Sequence, residues 1–213
     1  QKVKVNIIRQ DVENIENVVS INGDVREMAI APNGKEIAFI ARGEVFVTSV
    51  DGALTKRITS TAEQERFLTW TADGKHLVYA SERNGKWSIY KASRTREAQE
   101  PFFFASTLIA EEPMINNDVD NYLASFSPDG KKVAYVANRR FIKVRDLASG
   151  NEVELLNDED LYHMRDGDKY FTWSPDSKWL LVDWNKSLSN SEVILMAADG
   201  SKCVNLTESG YND

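Results

Sequence analysis

Ala124-Ser-Phe-Ser-Pro-Asp-Gly-Lys-Lys-Val-Ala-Tyr135 reads as a short apolar strand, a tight corner and a second apolar strand. The same order of residue types occurs three more times. It appears as Met28-Ala-Ile-Ala-Pro-Asn-Gly-Lys-Glu-Ile-Ala-Phe39, as Leu68-Thr-Trp-Thr-Ala-Asp-Gly-Lys-His-Leu-Val-Tyr79 and as Phe171-Thr-Trp-Ser-Pro-Asp-Ser-Lys-Trp-Leu-Leu-Val182. A repeat of this size makes the repeat, rather than the chain, the unit of folding.

The corners carry hairpin chemistry. Pro32, Pro128 and Pro175 suit the first central position of a turn, where φ near −65° is required. Asn33, Asp73, Asp129 and Asp176 suit the second, where a short polar side chain accepts backbone hydrogen bonds. Gly34, Gly74 and Gly130 suit the next position, where a left-handed backbone is cheap only for glycine. Ala72 replaces the proline in the second copy, and Ser177 replaces the glycine in the fourth. Keeping Ser177 left-handed costs roughly 1 kcal/mol.

Two more strands follow most corners. In the first copy, residues 44–50 and 55–59 flank Asp51-Gly52. In the third, residues 141–145 and 152–156 flank Ala148-Ser-Gly150, and in the fourth, residues 192–196 and 202–206 flank Asp199-Gly200. The second copy offers residues 86–91 as a third strand, then an insertion over residues 94–121 with Phe102-Phe-Phe104 inside it. That aromatic cluster reads either as an ordinary outer strand or as an exposed docking patch. Each unit is thus four antiparallel strands, a to d. The b strands, such as Val133-Ala-Tyr-Val-Ala137, are nearly continuous apolar runs, as expected for strands buried on both faces. The third strands alternate more, as in residues 87–90.

These features predict an all-β fold, a β-propeller of four-stranded antiparallel blades. The predicted spans are 24–62, 63–119 (with the insertion), 120–165 and 166–213, together one propeller domain. Residues 1–23 are predicted to be the outer strands of a preceding blade, which makes the chain a segment of a larger propeller with open strand edges.

Bulk composition narrows the function. The 213 residues carry a net charge of −7, which argues against the basic footprint that nucleic-acid binding needs. No apolar run reaches the roughly 18 residues of a membrane span. Cys203 is the sole cysteine, so an internal disulfide is excluded and an apolar strand position is its expected role.

The Ser-Pro-Asp-Gly-Lys corner followed by an apolar strand resembles the propeller repeat of the TolB and tricorn protease families, and the resemblance covers nearly the whole chain. The same repeat occurs in dipeptidyl-peptidase propellers. Residues 30–47, 171–179 and 206–211 look more closely like bacterial tricorn-like proteases. In that family the propellers precede a PDZ-like module and a serine-protease domain that carries the catalytic residues. The resemblance therefore implies a non-catalytic propeller that binds or guides peptides and scaffolds the other domains of the same protein. It favours a periplasmic or otherwise extracytoplasmic setting, with a cytoplasmic one as the alternative, and allows oligomerisation through the parent protein. The alternative is a TolB-like interaction propeller of the bacterial envelope. A third class is an enzyme with its active site on the propeller face.

No catalytic residue, cofactor or metal is assigned. His76 and His163 are the only imidazole bases, and no Gly-x-Ser-x-Gly elbow is present. The acidic stretches 158–168 and 116–121 lack the register of a calcium loop and read as solvated connections. Candidate peptide or partner contacts come from geometry. The b–c and d–a connections share one face of a propeller, and strand a lines its channel. That places Arg83, Arg139, Arg140 and Trp184 on the rim, with Arg66, Tyr122 and Tyr170 near the channel. Arg and Trp are residue types that anchor interfaces.

Overall fold

A computed structural model describes residues 20–21, 23–156, 170–187 and 190–207. Residues 2–8 and 16–19, expected as outer strands of a preceding blade, lie outside the described residues, as do the acidic stretch 158–168 and His163.

Among the described residues sixteen strands form four antiparallel sheets, each a simple meander in chain order. The first sheet (blade 1) holds β1 (Val25–Ile30), β2 (Glu36–Ala41), β3 (Glu44–Ser49) and β4 (Thr55–Arg57). Blade 2 holds β5 (Glu65–Trp70), β6 (His76–Ser81), β7 (Ser88–Arg94) and β8 (Ile109–Ile115). Blade 3 holds β9 (Asn121–Phe126), β10 (Lys132–Ala137), β11 (Phe141–Asp146) and β12 (Glu152–Leu156). Blade 4 holds β13 (Phe171–Trp173), β14 (Trp179–Ser187), β15 (Asn190–Ala197) and β16 (Cys203–Asn205).

The corners have the predicted turn. Each closes with an N–H to C=O bond, from Gly34 to Ala31, Gly74 to Thr71, Gly130 to Ser127 and Ser177 to Ser174. The acidic residue then ties the turn together. Asp129 Oδ1 accepts from Ser127 Oγ at 2.6 Å and from Lys131 N at 3.1 Å; Asp176 does the same with Ser174 Oγ and Lys178 N. Ser177 holds φ at +61°, as the repeat requires.

Burial follows strand position. The second strands β2, β6 and β10 are almost wholly buried. The first strands are less so, because each is an edge of its sheet. The third strand of blade 2 departs from the expected alternation: Ser88, Ile89 and Tyr90 are all buried. Four side-chain clusters fill the gaps between sheets. Leu77 and Tyr79 pack against Ala38 and Ile40 between blades 1 and 2. Val78 and Ile89 meet Val133 and Tyr135 between blades 2 and 3, and Leu180 and Val182 meet Ala134 and Ile142 between blades 3 and 4.

Indoles staple two of these interfaces. Trp70 Nε1 donates to Ala29 O at 3.1 Å, and Trp173 Nε1 donates to Ser125 O at 3.0 Å. Both bonds run from the third residue of a repeat to the second residue of the preceding one.

The insertion in blade 2 is neither an outer strand of aromatics nor an exposed patch. The outer strand is β8, whose Pro113 sits on a sheet edge where a missing N–H is tolerated. The aromatics precede it as a single 3-10 turn, Phe103–Ala105, packed against blade 1. Phe103 is fully buried, edge-on to Trp70 with ring centroids 5.5 Å apart. Glu36 of blade 1, itself fully buried, accepts from Phe103 N at 2.6 Å. Arg94 lies over the Phe103 ring at 4.7 Å and 3.9 Å from Glu36.

Candidate functional site: the face of the b–c and d–a connections

The first strands reach the candidate face through bulges. Register slips between Val25 and Glu27 in β1, and between Arg66 and Thr69 in β5. It slips again where β9 passes Ala134 and Val136. Phe67 and Leu123 sit in these bulges with φ of +58° and +56°. A bulky residue in that region costs roughly 1–2 kcal/mol, which surrounding packing must offset. Phe67 is held by stacking on Tyr122 at 5.0 Å and by an edge contact with Trp87 at 6.2 Å.

Arg66 stands at the edge of the bulge in β5. Its guanidinium lies 4.8 Å above the Phe67 ring, and its Nε is 3.3 Å from Glu27 Oε1 on blade 1. Glu27 Oε2 also accepts from Leu68 N at 3.0 Å. Arg66 is thus fixed in place while its side chain stays 43% exposed. Tyr170, just before β13, is 65% exposed. Tyr122 differs from its expected position at the channel: it is 3% exposed and belongs to the packed aromatic cluster.

The rim residues divide in the same way. Arg83 is committed to the fold. It reaches Glu111 Oε2 at 2.5 Å, lies 3.6 Å from Glu65 and stacks on Tyr90 at 4.3 Å. Trp184 packs against the cluster between blades 3 and 4. Arg139 occupies a left-handed position in the β10–β11 turn, held by a 2.7 Å bond to Asp120 Oδ2. Asp120 also accepts from Trp87 N at 2.9 Å, so it links blades 2 and 3. Arg140 is exposed beside it.

Sequence reasoning missed a polar network beneath this face. Glu44 accepts from Thr59 Oγ1 at 2.6 Å and Thr61 N at 3.1 Å, and pairs with Arg57 at 2.5 Å. Thr61 Oγ1 and Ser81 Oγ donate to fully buried Glu65 at 2.9 and 3.0 Å. Burial pushes Glu65 above the usual carboxylate range, against the hydrogen bonds from Thr61 and Ser81. Tyr79 donates to Glu111 at 2.6 Å, and blade 3 repeats the motif with Tyr135 and Glu152 at 2.8 Å. Burial, then the carboxylate contact, raises both phenol pKa values. The available signal was the recurrence of Tyr at the last position of two repeats.

The opposite face holds a groove of about 690 Å³ between the corners of blades 2 and 3. Its charges are engaged: Asp73 and Asp129 tie their turns, Lys91 pairs with Glu112 at 2.7 Å, and Arg145 lies 3.5 Å from Glu152. His76 Nδ1 is 2.7 Å from Ser93 Oγ, a pair set by neighbouring strands. Burial lowers the His76 pKa, and among the described residues no carboxylate is hydrogen-bonded to that ring. Among the described residues no cluster of His, Cys, Asp and Glu is arranged to hold a metal. Among the described residues no helix is long and apolar enough to cross a membrane. Cys203 is exposed at the start of β16, not in an apolar interior, because it lies on the outermost strand of its blade.

Four-stranded antiparallel meanders packed face to face in succession define the class: a β-propeller segment. No family model matches the chain. It is 32% identical over 75 residues to a dipeptidyl-peptidase 5 from Porphyromonas gingivalis, covering 30% of this chain and 11% of that protein. Among solved structures it is similar to a putative TolB from Agrobacterium tumefaciens, with a TM-score of 0.65 and 20% identity over 89% of this chain and 64% of the other. The tricorn protease matches with a TM-score of 0.64 and 16% identity, over 92% of this chain and 18% of its own. A puromycin-hydrolysing peptidase of Mycobacterium tuberculosis matches with a TM-score of 0.61 and 14% identity, over 85% and 28%. The chain thus spans under two thirds of each of these proteins. At such identities the shared property is the fold, that of TolB-like and tricorn-type propellers.

Proposed function

We propose that this chain is the propeller region of a peptidase-related protein, without chemistry of its own. It holds peptide segments, or the protease domains of the same protein, at the face built by the b–c and d–a connections, in an extracytoplasmic setting. The likeness to tricorn protease and to two further peptidases supports the peptidase association. The observation that carries the binding role is the contrast among the polar groups of that face. Arg83, Glu65 and Glu111 serve blade packing, whereas Arg66 is stacked, paired on one edge and still 43% exposed. A guanidinium fixed in this way loses little freedom when it meets a carboxylate or a peptide carbonyl. Tyr170 adds an exposed aromatic surface. Arg139 and Arg140 extend the same face, while Tyr122 and Trp184 support it from within.

The experiment is fluorescence anisotropy of a fluorescein-labelled peptide pool from casein, titrated with the purified chain. Binding is expected, and Arg66→Ala combined with Tyr170→Ala should weaken it by about tenfold, the loss of about 1.4 kcal/mol. Absence of binding, or equal binding by the double variant, overturns the peptide role. Hydrolysis of fluorogenic dipeptide substrates by the purified chain overturns the non-catalytic part. A second reading, a TolB-like interaction propeller, is supported by the larger share of that protein which the chain spans.

A further inference from the structure

The Phe103 wedge shows how this fold fills a joint between blades. Three positions of the repeat hold it. Glu36, the first residue of β2, accepts from the N–H groups of Phe103 and Phe104 at 2.6 and 3.4 Å. Trp70, the last residue of β5, meets the Phe103 ring edge-on, and Arg94, the last residue of β7, lies over it.

The repeat carries these positions one blade onward. His76 stands in the place of Glu36, at the start of a second strand, and Phe126 in the place of Trp70, at the end of a first strand. Leu147 stands in the place of Arg94: His76 pairs with Ser93 and Lys132 with Asp146, and Arg94 and Leu147 are the next residues of each strand. His76, Phe126 and Leu147 all line the groove of about 690 Å³ between blades 2 and 3.

The devices that close the neighbouring joints stop short here. A Cβ on Gly200, in the β15–β16 turn, would lie 3.0 Å from Val153 of the preceding blade. One on Gly150, in the β11–β12 turn, would meet within 4 Å only Arg145 of its own hairpin. At the corners, Pro32 covers Gly74, which is buried, whereas Ala72 replaces the proline beside Gly130, which is half-buried. Phe126 carries no indole N–H, so the staple made by Trp70 and Trp173 is missing at this joint.

The groove offers apolar surface and one imidazole. Ala72, Met114, Phe126, Pro128 and Leu147 form the apolar lining. Its charged groups are engaged within their own blades: turn donors hold Asp73 and Asp129, Lys91 pairs with Glu112, and Arg145 with Glu152. That arrangement suits an uncharged ligand. His76 keeps Nδ1 on Ser93 Oγ, and among the described residues its Nε2 has no partner. Burial favours the neutral ring. With the Nδ1 proton given to Ser93, Nε2 is an acceptor, as Glu36 is at its own joint.

We propose that this groove binds a phenylalanine-type side chain presented by an uncharged peptide segment. The ring lies against Phe126 and under Leu147, as Phe103 lies against Trp70 and under Arg94, and the backbone N–H of the same residue donates to His76 Nε2. The site is on the face opposite the b–c and d–a connections and does not depend on binding there.

The probe is N-acetyl-phenylalaninamide, titrated into the purified chain labelled with carbon-13 at its methionine methyl groups. Met114→Leu assigns the Met114 signal. That signal should shift saturably as the ring reaches it, and N-acetyl-alaninamide should leave it in place. His76→Ala and Leu147→Asp should each weaken binding by about fivefold or more. Circular dichroism establishes that both variants fold, and the wild-type titration stands whatever they do. No saturable shift at Met114, an equal response to the alanine probe, or unchanged affinity in either folded variant would overturn the proposal. Tighter binding of N-acetyl-phenylalanine, with its free carboxylate, would make the ligand an anion and overturn it too.

Discussion

Ser177 breaks the glycine rule of the corners and keeps their geometry, with φ at +61° and only 6% exposure. From the sequence alone, replacing it with glycine should be neutral or favourable, since the left-handed strain is relieved. The structure adds an opposing effect: Ser177 Oγ accepts from Asp129 N at 3.0 Å, a bond between the corners of blades 3 and 4. Losing such a bond costs roughly 0.5–1.5 kcal/mol, which about cancels the relief. Ser177→Ala loses the bond and keeps the strain. It should destabilise by about 1 kcal/mol, while Ser177→Gly should stay within about 0.5 kcal/mol of wild type in urea melts. If the alanine variant melts with the wild type, the bond contributes nothing.

Among the elements, the 3-10 turn Phe103–Ala105 decides how blades 1 and 2 are joined. It fills their gap with Phe103 and draws on a buried ion pair, Glu36 with Arg94, that would otherwise be costly. Phe103→Ala should cost about 3–5 kcal/mol, the usual price of an aromatic-sized cavity. Because each blade touches mainly its neighbours, the damage should be local. Hydrogen exchange should accelerate in β2, β3 and β6, with β10 and β11 far less affected. Uniform acceleration across all four sheets would show that the blades unfold as one unit instead.

For the whole molecule, two carboxylate populations pull stability in opposite directions with pH. Hydrogen bonds within the turns hold Asp129, Asp146, Asp176 and Asp199 below the usual aspartate range. Their contribution is present above the unfolded value near 3.8 and is lost as pH falls through the lowered folded values. Burial, opposed by the Phe103 and Phe104 N–H groups and by Arg94, raises Glu36 above 4.5, and burial raises Glu65 likewise. The folded chain therefore binds those protons more tightly, and stability rises as pH falls through the raised values. His76, lowered by burial, runs the other way below its unfolded value near 6.5. The clean comparison is wild type against Glu36→Gln with Glu65→Gln. The wild type should gain melting temperature relative to the variant as pH falls from neutrality towards the unfolded value of 4.5. A constant gap would show that neither glutamate titrates in that window.

The sequence by itself determined the repeat, the corner chemistry, the b-strand burial and hence the propeller. All of these arise from local rules: turn positions that admit only certain residues, and apolar runs with the period of a strand. Pro128, Asp129 and Gly130 state their roles within three residues. The candidate site was only partly legible. Arg66 and Tyr170 are exposed, whereas Arg83, Tyr122 and Trp184 have the same residue character yet pack against neighbouring strands. Phe102-Phe-Phe104 likewise looked like surface or strand and proved to be a wedge. Only the tertiary structure decided these cases. A side chain's fate there depends on which residues of the neighbouring blade stand opposite it, some forty to seventy positions away along the chain, and local pattern carries no record of such distant partners.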